Sequence, residues 1–269
     1  MQKIGGFGSV ATSANSGAQA QSGVSDTRFF TVMAIVMSLV IVAGFSVQLG
    51  FGRSSFAVPW PFHLHGIIFF AWVALYLAQH MLIGSGNSAL HARLGKTAYL
   101  LIPAMLVAGT LIMVVVLQRN GGPFFFHKSE FFWSNTAVLW CFGGLAFWSL
   151  KQRRHTGWHR RLMLCAMAIL TGPGLGRLLP LPLMIPNSWL ITTLVTFIWP
   201  VIGIIADKRS RGAVHPAYWW GLGAYVATFA VSMVVGYSEF GIGVTEWIVE
   251  GTPGAERPME PFLPDGFTM

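Results

Sequence analysis

Residues 29–50, FFTVMAIVMSLVIVAGFSVQLG, form an unbroken apolar run that contains no charged side chain. A helix of about 20 such residues crosses the ~30 Å hydrocarbon core of a bilayer. The run is also longer than the roughly 7–15 apolar residues of a cleavable signal peptide. It therefore predicts a permanent membrane helix.

The composition of the whole chain agrees with this first run. Of its 269 residues, 54% are hydrophobic and only 10% are charged, with 11 Trp and 21 Phe. A soluble domain carries about 25% charged residues, and aromatic rings collect at membrane–water interfaces. The formal net charge is +8. The lysines and arginines responsible lie mainly in short loops, where they act as orientation signals, so we expect no nucleic-acid partner. The bilayer is the expected partner, with other membrane subunits as further candidates.

Seven segments are long and apolar enough to cross a membrane, which predicts an all-α, polytopic membrane helix bundle of about seven transmembrane helices. A disordered tail over 1–28 precedes the transmembrane domain of 29–238, and an acidic tail over 239–269 follows it. We expect this last tail to be solvated, with a short interfacial helix over 244–250 as the alternative. The motif TGPGLGR at 171–177 predicts a kinked or shortened fifth span. The predicted spans are 29–50, 62–83, 97–118, 132–150, 160–179, 188–206 and 217–238.

Loop cations predict the orientation of the bundle. Twelve Lys and Arg residues fall on one side and four on the other. The positive-inside rule then gives a cytoplasmic N-terminus and a C-terminus outside. The positive-inside rule is a sufficient explanation for the arginines of the cluster RRHTGWHRRLM at 153–163. The twelve are Lys3, Arg28, Arg93, Lys96, Lys151, Arg153, Arg154, Arg160, Arg161, Lys208, Arg209 and Arg211; the four are Arg53, Arg119, Lys128 and Arg257.

Histidines supply much of the polar chemistry. His65 and His80 lie within the second predicted span, and His91 and His159 lie at or near the start of later spans. Fifteen residues separate His65 from His80, about 22 Å along a helix, so these two cannot share one metal ion. A metal or haem site must therefore lie at one face of the membrane, or each face must have a separate site. The remaining histidines are His63, His127, His155 and His215.

Three motifs, HLHG at 63–66, HARLGK at 91–96 and HRRLM at 159–163 followed by Arg177, occur in this order. Together they resemble a family of bacterial multi-pass membrane proteins known as a domain of unknown function. Ala92 stands where that family usually has Arg or Lys, and Leu162 where it often has Trp. The resemblance implies His65, His91, His159 and Arg177 as the functional positions, and the bacterial inner (cytoplasmic) membrane as the location. It implies no activity.

The first expectation for function is an accessory, assembly or partner subunit without its own cofactor. A coupled transporter usually carries acidic residues within its spans, and none of the nine acidic residues of this chain lies near the middle of a predicted span. An accessory role requires no such residue.

The alternative is a b-type haem-binding membrane redox protein, which needs imidazole ligands on neighbouring helices and cations near the propionates. On the inner face, His80 and His159 would bracket the haem, with Arg160 or Arg161 at its edge. On the outer face, His65 would ligate, with Arg177 near the propionates. His65, His80 and His159 are metal ligands only if haem is bound, and the cofactor is otherwise unknown.

A membrane metal-dependent hydroxylase is a weaker alternative. Such enzymes carry about eight histidines in tight boxes that include adjacent pairs. The eight histidines here include one H-x3-H spacing, at His155 and His159, and no adjacent pair.

The loop cations generate a prediction about topology. A reporter active only outside the cytoplasm should be active when it is fused after Met269, because the side opposite the twelve cations is the translocated one. A reporter active only in the cytoplasm is the control. Activity of that cytoplasmic reporter at the same position would contradict the predicted orientation.

Overall fold

The computed structural model describes residues 8–267, with side chains from Asp26 onward. Within this range the chain is helical and has no strand. Three short 3-10 turns lie at Gly95–Thr97, Leu181–Met184 and Pro253–Ala255. The helices are α1 (Gly8–Gly50), α2 (Trp60–Gly84), α3 (Ser88–Leu94), α4 (Ala98–Asn120), α5 (Lys128–Lys151), α6 (Thr156–Leu170), α7 (Gly172–Leu178), α8 (Ser188–Thr196), α9 (Ile198–Arg211), α10 (Pro216–Gly236) and α11 (Glu239–Val249).

Five helical segments are long and apolar enough to cross a membrane: Asp26–Gly50, Trp60–Gly84, Ser88–Asn120, Ser188–Arg211 and Pro216–Gly236. The predicted all-helical membrane fold is therefore present with five candidate spans. The predicted spans 132–150 and 160–179 fall on α5 and on α6 with α7, which are not among the five. Polar residues at both ends of α5 lower its mean hydropathy, and α6 ends at Leu170.

α5 and α6 lie at the centre of the bundle, packed against each other and against α10. More than half of the 24 residues of α5 are buried, and so are most residues of α6 from Arg161 onward. α2, at the periphery, buries only Trp72, Val73 and Tyr76. Because neighbouring helices surround α5 and α6, their sequences do not need the uniformly apolar surface that lipid demands of α1, α2 and α4.

Large apolar side chains cover the outside of the bundle. Examples are Leu39 of α1, Ile67 of α2, Leu100 of α4 and Val234 of α10, all of them exposed. Apolar surface of this extent on a water-soluble protein would promote association, whereas lipid solvates it. The exposed surface is therefore that of a membrane protein.

Local sequence signals set the helix ends. Pro61 lies in the first turn of α2 and Pro216 in the first turn of α10, where a missing N–H costs little. α4 ends at Gly121, whose φ of 72° is left-handed. Two histidines act as N-caps: His127 Nδ1 accepts from Glu130 N (3.4 Å) and His215 Nδ1 accepts from Ala217 N (3.1 Å).

The helices alternate in direction between two ends of the bundle. We call one the basic end, where Asp26 of α1 meets Arg160 of α6 and Arg211 of α9. We call the other the tail end, where residues 253–267 pack beside the end of α4 and the start of α5. At the basic end α1 begins at Gly8, inside the stretch 1–28 that was predicted to be disordered; residues 1–7 lie outside the described residues.

The break predicted at TGPGLGR is present, because α6 ends at Leu170 and α7 begins at Gly172. Gly174 of α7 lies against the backbone of α1. A Cβ on Gly174 would lie 2.8 Å from Ile41 Cα, and one on Gly44 would lie 2.2 Å from Gly174 O. The two glycines thus let α1 and α7 approach more closely than any larger residue would allow.

The C-terminal tail is packed, whereas the sequence favoured a solvated tail. α11 covers Glu239–Val249, a longer helix than the 244–250 alternative. Gly254 lies so close to Leu117 O that a Cβ would be 1.7 Å from it. Arg257 donates to Gly121 O (3.0 Å), Pro123 O (2.9 Å) and Phe126 O. The acceptors in these contacts are backbone carbonyls, which every residue has, so the hydropathy of the sequence could not predict them.

The Gly44–Gly174 contact generates a second prediction. Gly174→Ala should destabilise the protein by about 1–3 kcal/mol, because its methyl group overlaps the α1 backbone, which cannot rotate away. Gly144→Ala is the control, because nothing lies within 4 Å of a Cβ there and Ala is the better helix former by about 1 kcal/mol. Thermal unfolding in detergent measures both. Equal melting temperatures for the two variants would contradict the close approach.

Candidate functional site

Three of the predicted site residues come together at the basic end. His80 lies near the end of α2, His91 in α3 and His159 in the first turn of α6. The rings of His91 and His159 have centroids 6.4 Å apart and are nearly perpendicular. His80 lies within electrostatic range of both. We call these residues the imidazole cluster.

Ser149 of α5 fixes the orientation of His159. His159 Nδ1 lies 2.9 Å from Ser149 O and 2.9 Å from Ser149 Oγ, and Ser149 Oγ donates to His159 O (2.8 Å). A carbonyl oxygen only accepts, so Nδ1 carries the proton. Nε2 is therefore the unprotonated nitrogen, which is the arrangement in which second-shell hydrogen bonds hold a metal-ligating histidine.

Gln79 holds His91 through both its side chain and its backbone. With its nitrogen toward His91, the Gln79 amide donates to His91 O (3.0 Å) and lies 2.6 Å from His91 Nδ1, and its oxygen accepts from Gly95 N (3.3 Å). The two backbone partners determine this orientation of the amide, because a carbonyl only accepts and an amide N–H only donates. His91 Nδ1 also lies 3.4 Å from the backbone oxygen of Gln79, so its partners are compatible with either tautomer.

The cluster therefore places the unprotonated Nε2 of His159 in a group of three imidazoles. His80 is the third member, and its ring packs edge-on to Tyr76, with centroids 4.7 Å apart. Among the described residues, no group of three or more His, Cys, Asp or Glu side chains is arranged to hold a bare metal ion. Haem iron brings four nitrogens of its own and needs one or two protein ligands.

His65 and Arg177 form a separate pair, toward the tail end of α2. His65 Nδ1 is buried without a hydrogen-bond partner, and the ring lies 4.1 Å from that of Phe69. The Arg177 guanidinium lies 4.0 Å from the centroid of Phe45 and donates to Pro173 O (2.8 Å). Arg177 is near enough to His65 to act on it electrostatically. The five predicted residues thus divide into two groups at different depths.

The two arginines proposed to lie at the haem edge are engaged elsewhere. Arg161 is 0% exposed, and its Nε donates to Asp207 Oδ2 (2.8 Å) while its Nη2 pairs with Asp207 Oδ1. Arg160 pairs with Asp26. Each of these two arginines therefore faces an internal carboxylate, and their role at a haem propionate stays a prediction.

This network also corrects the purely topological explanation of RRHTGWHRRLM. Asp26 binds Arg160 and Arg211 together, and Asp207 also accepts from His215 N (3.1 Å). Burial, followed by the charge of Arg161, lowers the pKa of His215, so this N-cap stays neutral. Asp26 and Asp207 are two of only nine acidic residues. Their scarcity beside so many arginines is the sequence signal from which these pairs could have been predicted.

His155 and His159 differ in surroundings as well as in motif. His155 is exposed and lies before the first residue of α6, with Nδ1 3.1 Å from Gln152 Oε1. His159 is partly buried, and Ser149 of a different helix holds it. His159 therefore belongs to the interior of the bundle, and His155 to its surface.

Comparison with known proteins found no matching family model, no matching curated protein and no matching solved structure. The family resemblance of HLHG, HARLGK and HRRLM accordingly stays a prediction.

The buried ion pair generates a third prediction. Asp207→Asn should destabilise the protein by about 3–5 kcal/mol, because it leaves the Arg161 charge buried without a counter-charge. Asp265→Asn, at an exposed position of the tail, is the control and should change little. Thermal or denaturant unfolding in detergent measures both.

The double variant Arg161→Met with Asp207→Asn tests the cause. It removes the buried charge while an acceptor remains for His215 N, so part of the lost stability should return. A double variant as unstable as the sum of the two single variants would show that the pairing of charges is not what matters.

Proposed function

We propose that this protein is a b-type haem-binding redox protein of the bacterial inner membrane, with the haem held at the imidazole cluster. The carrying observation is the tautomer of His159, whose Nδ1 donates to Ser149 O and whose Nε2 is left free beside two other imidazoles. Haem supplies one-electron chemistry when it is bound.

In this proposal each member of the cluster has a distinct task. His159 Nε2 would hold the haem iron, oriented by Ser149 of α5. His80 would be the second residue to hold it, because it lies within electrostatic range of His159 and belongs to a different helix. His91, held by Gln79, would lie beside these two residues without binding the iron. These assignments retain the His80–His159 pair expected from the sequence.

The same proposal includes seven membrane helices, with the basic end cytoplasmic. α5 has 24 residues, which at about 1.5 Å each exceed a ~30 Å hydrocarbon core. α6 and α7 follow each other with one residue between them and together are of similar length. Their polar side chains face neighbouring helices, which makes a membrane position compatible with their lower hydropathy. The loop cations support the orientation.

The accessory subunit without a cofactor is the competing proposal. The observation in its favour is that Nδ1 of His91, Nδ1 of His159 and the Gln79 amide all have partners within the chain. In that case the imidazole cluster joins α2, α3, α5 and α6 as an interhelical contact, worth about 0.6–2 kcal/mol in a membrane.

A visible absorption spectrum with and without dithionite separates the two proposals. We expect the purified protein to show a Soret band, and His159→Ala to abolish or shift it, because an axial imidazole is lost. His155→Ala is the matched control on the same turn and should leave the spectrum unchanged.

Protein made with an adequate haem supply and still without a Soret band would favour the accessory role. If the band is present, equal effects of His159→Ala and His155→Ala on spectrum and thermal stability would contradict the assignment of His159.

A further inference from the structure

A buried carboxylate lies at the tail end, far from the imidazole cluster. Glu130, in the first turn of α5, is 3% exposed. It takes part in no ion pair among the residues whose side chains are described. Its carboxylate hydrogen-bonds the hydroxyl of Tyr237, the residue that ends α10. A buried carboxylate without a cationic partner is costly to ionise.

Close packing keeps this carboxylate in place. The turn between α10 and α11 lies directly against Glu130, since a Cβ on Gly236 would be 3.3 Å from Glu130 Cα. His127 accepts from Glu130 N, and its ring packs on that of Tyr237 with centroids 4.6 Å apart. These contacts hold the backbone of Glu130 and the ring of Tyr237 in place.

The tail connects this buried group to the surface. His127 is itself buried, and its Nε2 lies 3.6 Å from Oε1 of Glu260, whose side chain is 78% exposed. Lys128 and Arg257 lie nearby, but backbone carbonyls bind their charged groups. Lys128 donates to Gly254 O (2.8 Å), and Arg257 donates to the carbonyls at the end of α4. Further charges on this side are Glu246 of α11, beside Lys128, and the acidic residues Glu239, Glu250, Glu256 and Asp265 of α11 and the tail.

We propose that Glu130 is a proton-binding site, a carboxylic acid that takes up and releases a proton from the water at the tail end. In the uptake step a hydronium ion gives its proton to the Glu130 carboxylate, which leaves a neutral carboxylic acid and a water molecule. The proposal goes beyond haem binding and does not depend on it, because the site lies at the opposite end of the bundle.

The electrostatics of the surroundings match this role. Burial raises the pKa of the Glu130 carboxyl to about 7. The hydroxyl of Tyr237 and the backbone N–H of His127, which donate to the carboxylate, lower this pKa, and the charge of Glu260 raises it. The same burial lowers the pKa of His127. Near neutral pH, therefore, Glu130 changes its charge while His127 stays uncharged. Protonation removes the like-charge repulsion between Glu130 and Glu260, so the acid form holds the tail more firmly.

An infrared titration of the full-length protein tests this site directly. Between about pH 5 and about pH 9, the carbonyl band of a protonated carboxylic acid should disappear with a midpoint near pH 7 in the unsubstituted protein. Glu130→Gln should lack that titrating band. Glu239→Gln, at an exposed position in the first turn of α11, is the matched control and should retain it.

Two neighbours should move the midpoint in opposite directions. Tyr237→Phe removes a hydrogen bond to the charged form and should raise the midpoint by about one to two pH units. Glu260→Gln removes a like charge and should lower it. These two variants keep Glu130 itself, so they test the site even if Glu130→Gln fails to fold.

The melting temperature supplies an independent readout. Because the folded-state pKa is raised, the contribution of Glu130 to stability is full at low pH and is lost as pH rises through about 7. Glu130→Gln, which stays neutral, should therefore melt at a higher temperature than the unsubstituted protein above neutral pH and at nearly the same temperature at acid pH. A carboxyl band that persists in Glu130→Gln, or no band titrating near neutral pH in the unsubstituted protein, would overturn the proposal.

Discussion

The bidentate pair of Arg161 and Asp207 is the interaction on which the basic end depends. A buried guanidinium requires a counter-charge and hydrogen-bond acceptors, and Asp207 of α9 with Gly157 O supplies them. Asp207 also accepts from the N-terminus of α10 at His215. Since α6 can satisfy Arg161 in only one rotation and at one depth, the pair also fixes where His159, two residues earlier, points. The geometry of the imidazole cluster is thus a consequence of a charge pair that is not part of it.

The central and the peripheral helices of the bundle carry different kinds of side chain. The central helices α5 and α6 carry the polar residues that matter to the site, Ser149, His159 and Arg161, and they are shielded by neighbouring helices. The peripheral helices α1, α2 and α4 present apolar side chains outward. Ser149 and His159 are partners across α5 and α6, and Arg161 pairs with Asp207 of α9; left unpaired, these groups would be as unfavourable there as in lipid.

The apolar runs made the helical membrane fold predictable, and the TGPGLGR motif made the break between α6 and α7 predictable. The distance between His65 and His80 was also predictable, because it depends only on the rise per residue of a helix. The roles of Arg160 and Arg161 did not, because in sequence they look the same as the cations of any cytoplasmic loop. Their partners lie far along the chain: Asp207 is 46 residues from Arg161 and Asp26 is 134 from Arg160. The packing of the tail was equally hidden, because backbone carbonyls receive its hydrogen bonds. Hydropathy records which residues avoid water, but it does not record which distant groups meet.

The contact between Arg257 and the end of α4 also has a consequence for biogenesis. The carbonyls of Gly121, Pro123 and Phe126 are synthesised more than 130 residues before the Arg257 side chain that binds them, so they emerge without this donor. During insertion, water or lipid headgroups must satisfy those carbonyls, and the tail displaces them only after α10 and α11 have been made. The tail end is therefore the last part of the molecule to mature, and a chain interrupted after α10 would be inserted yet remain open on that side.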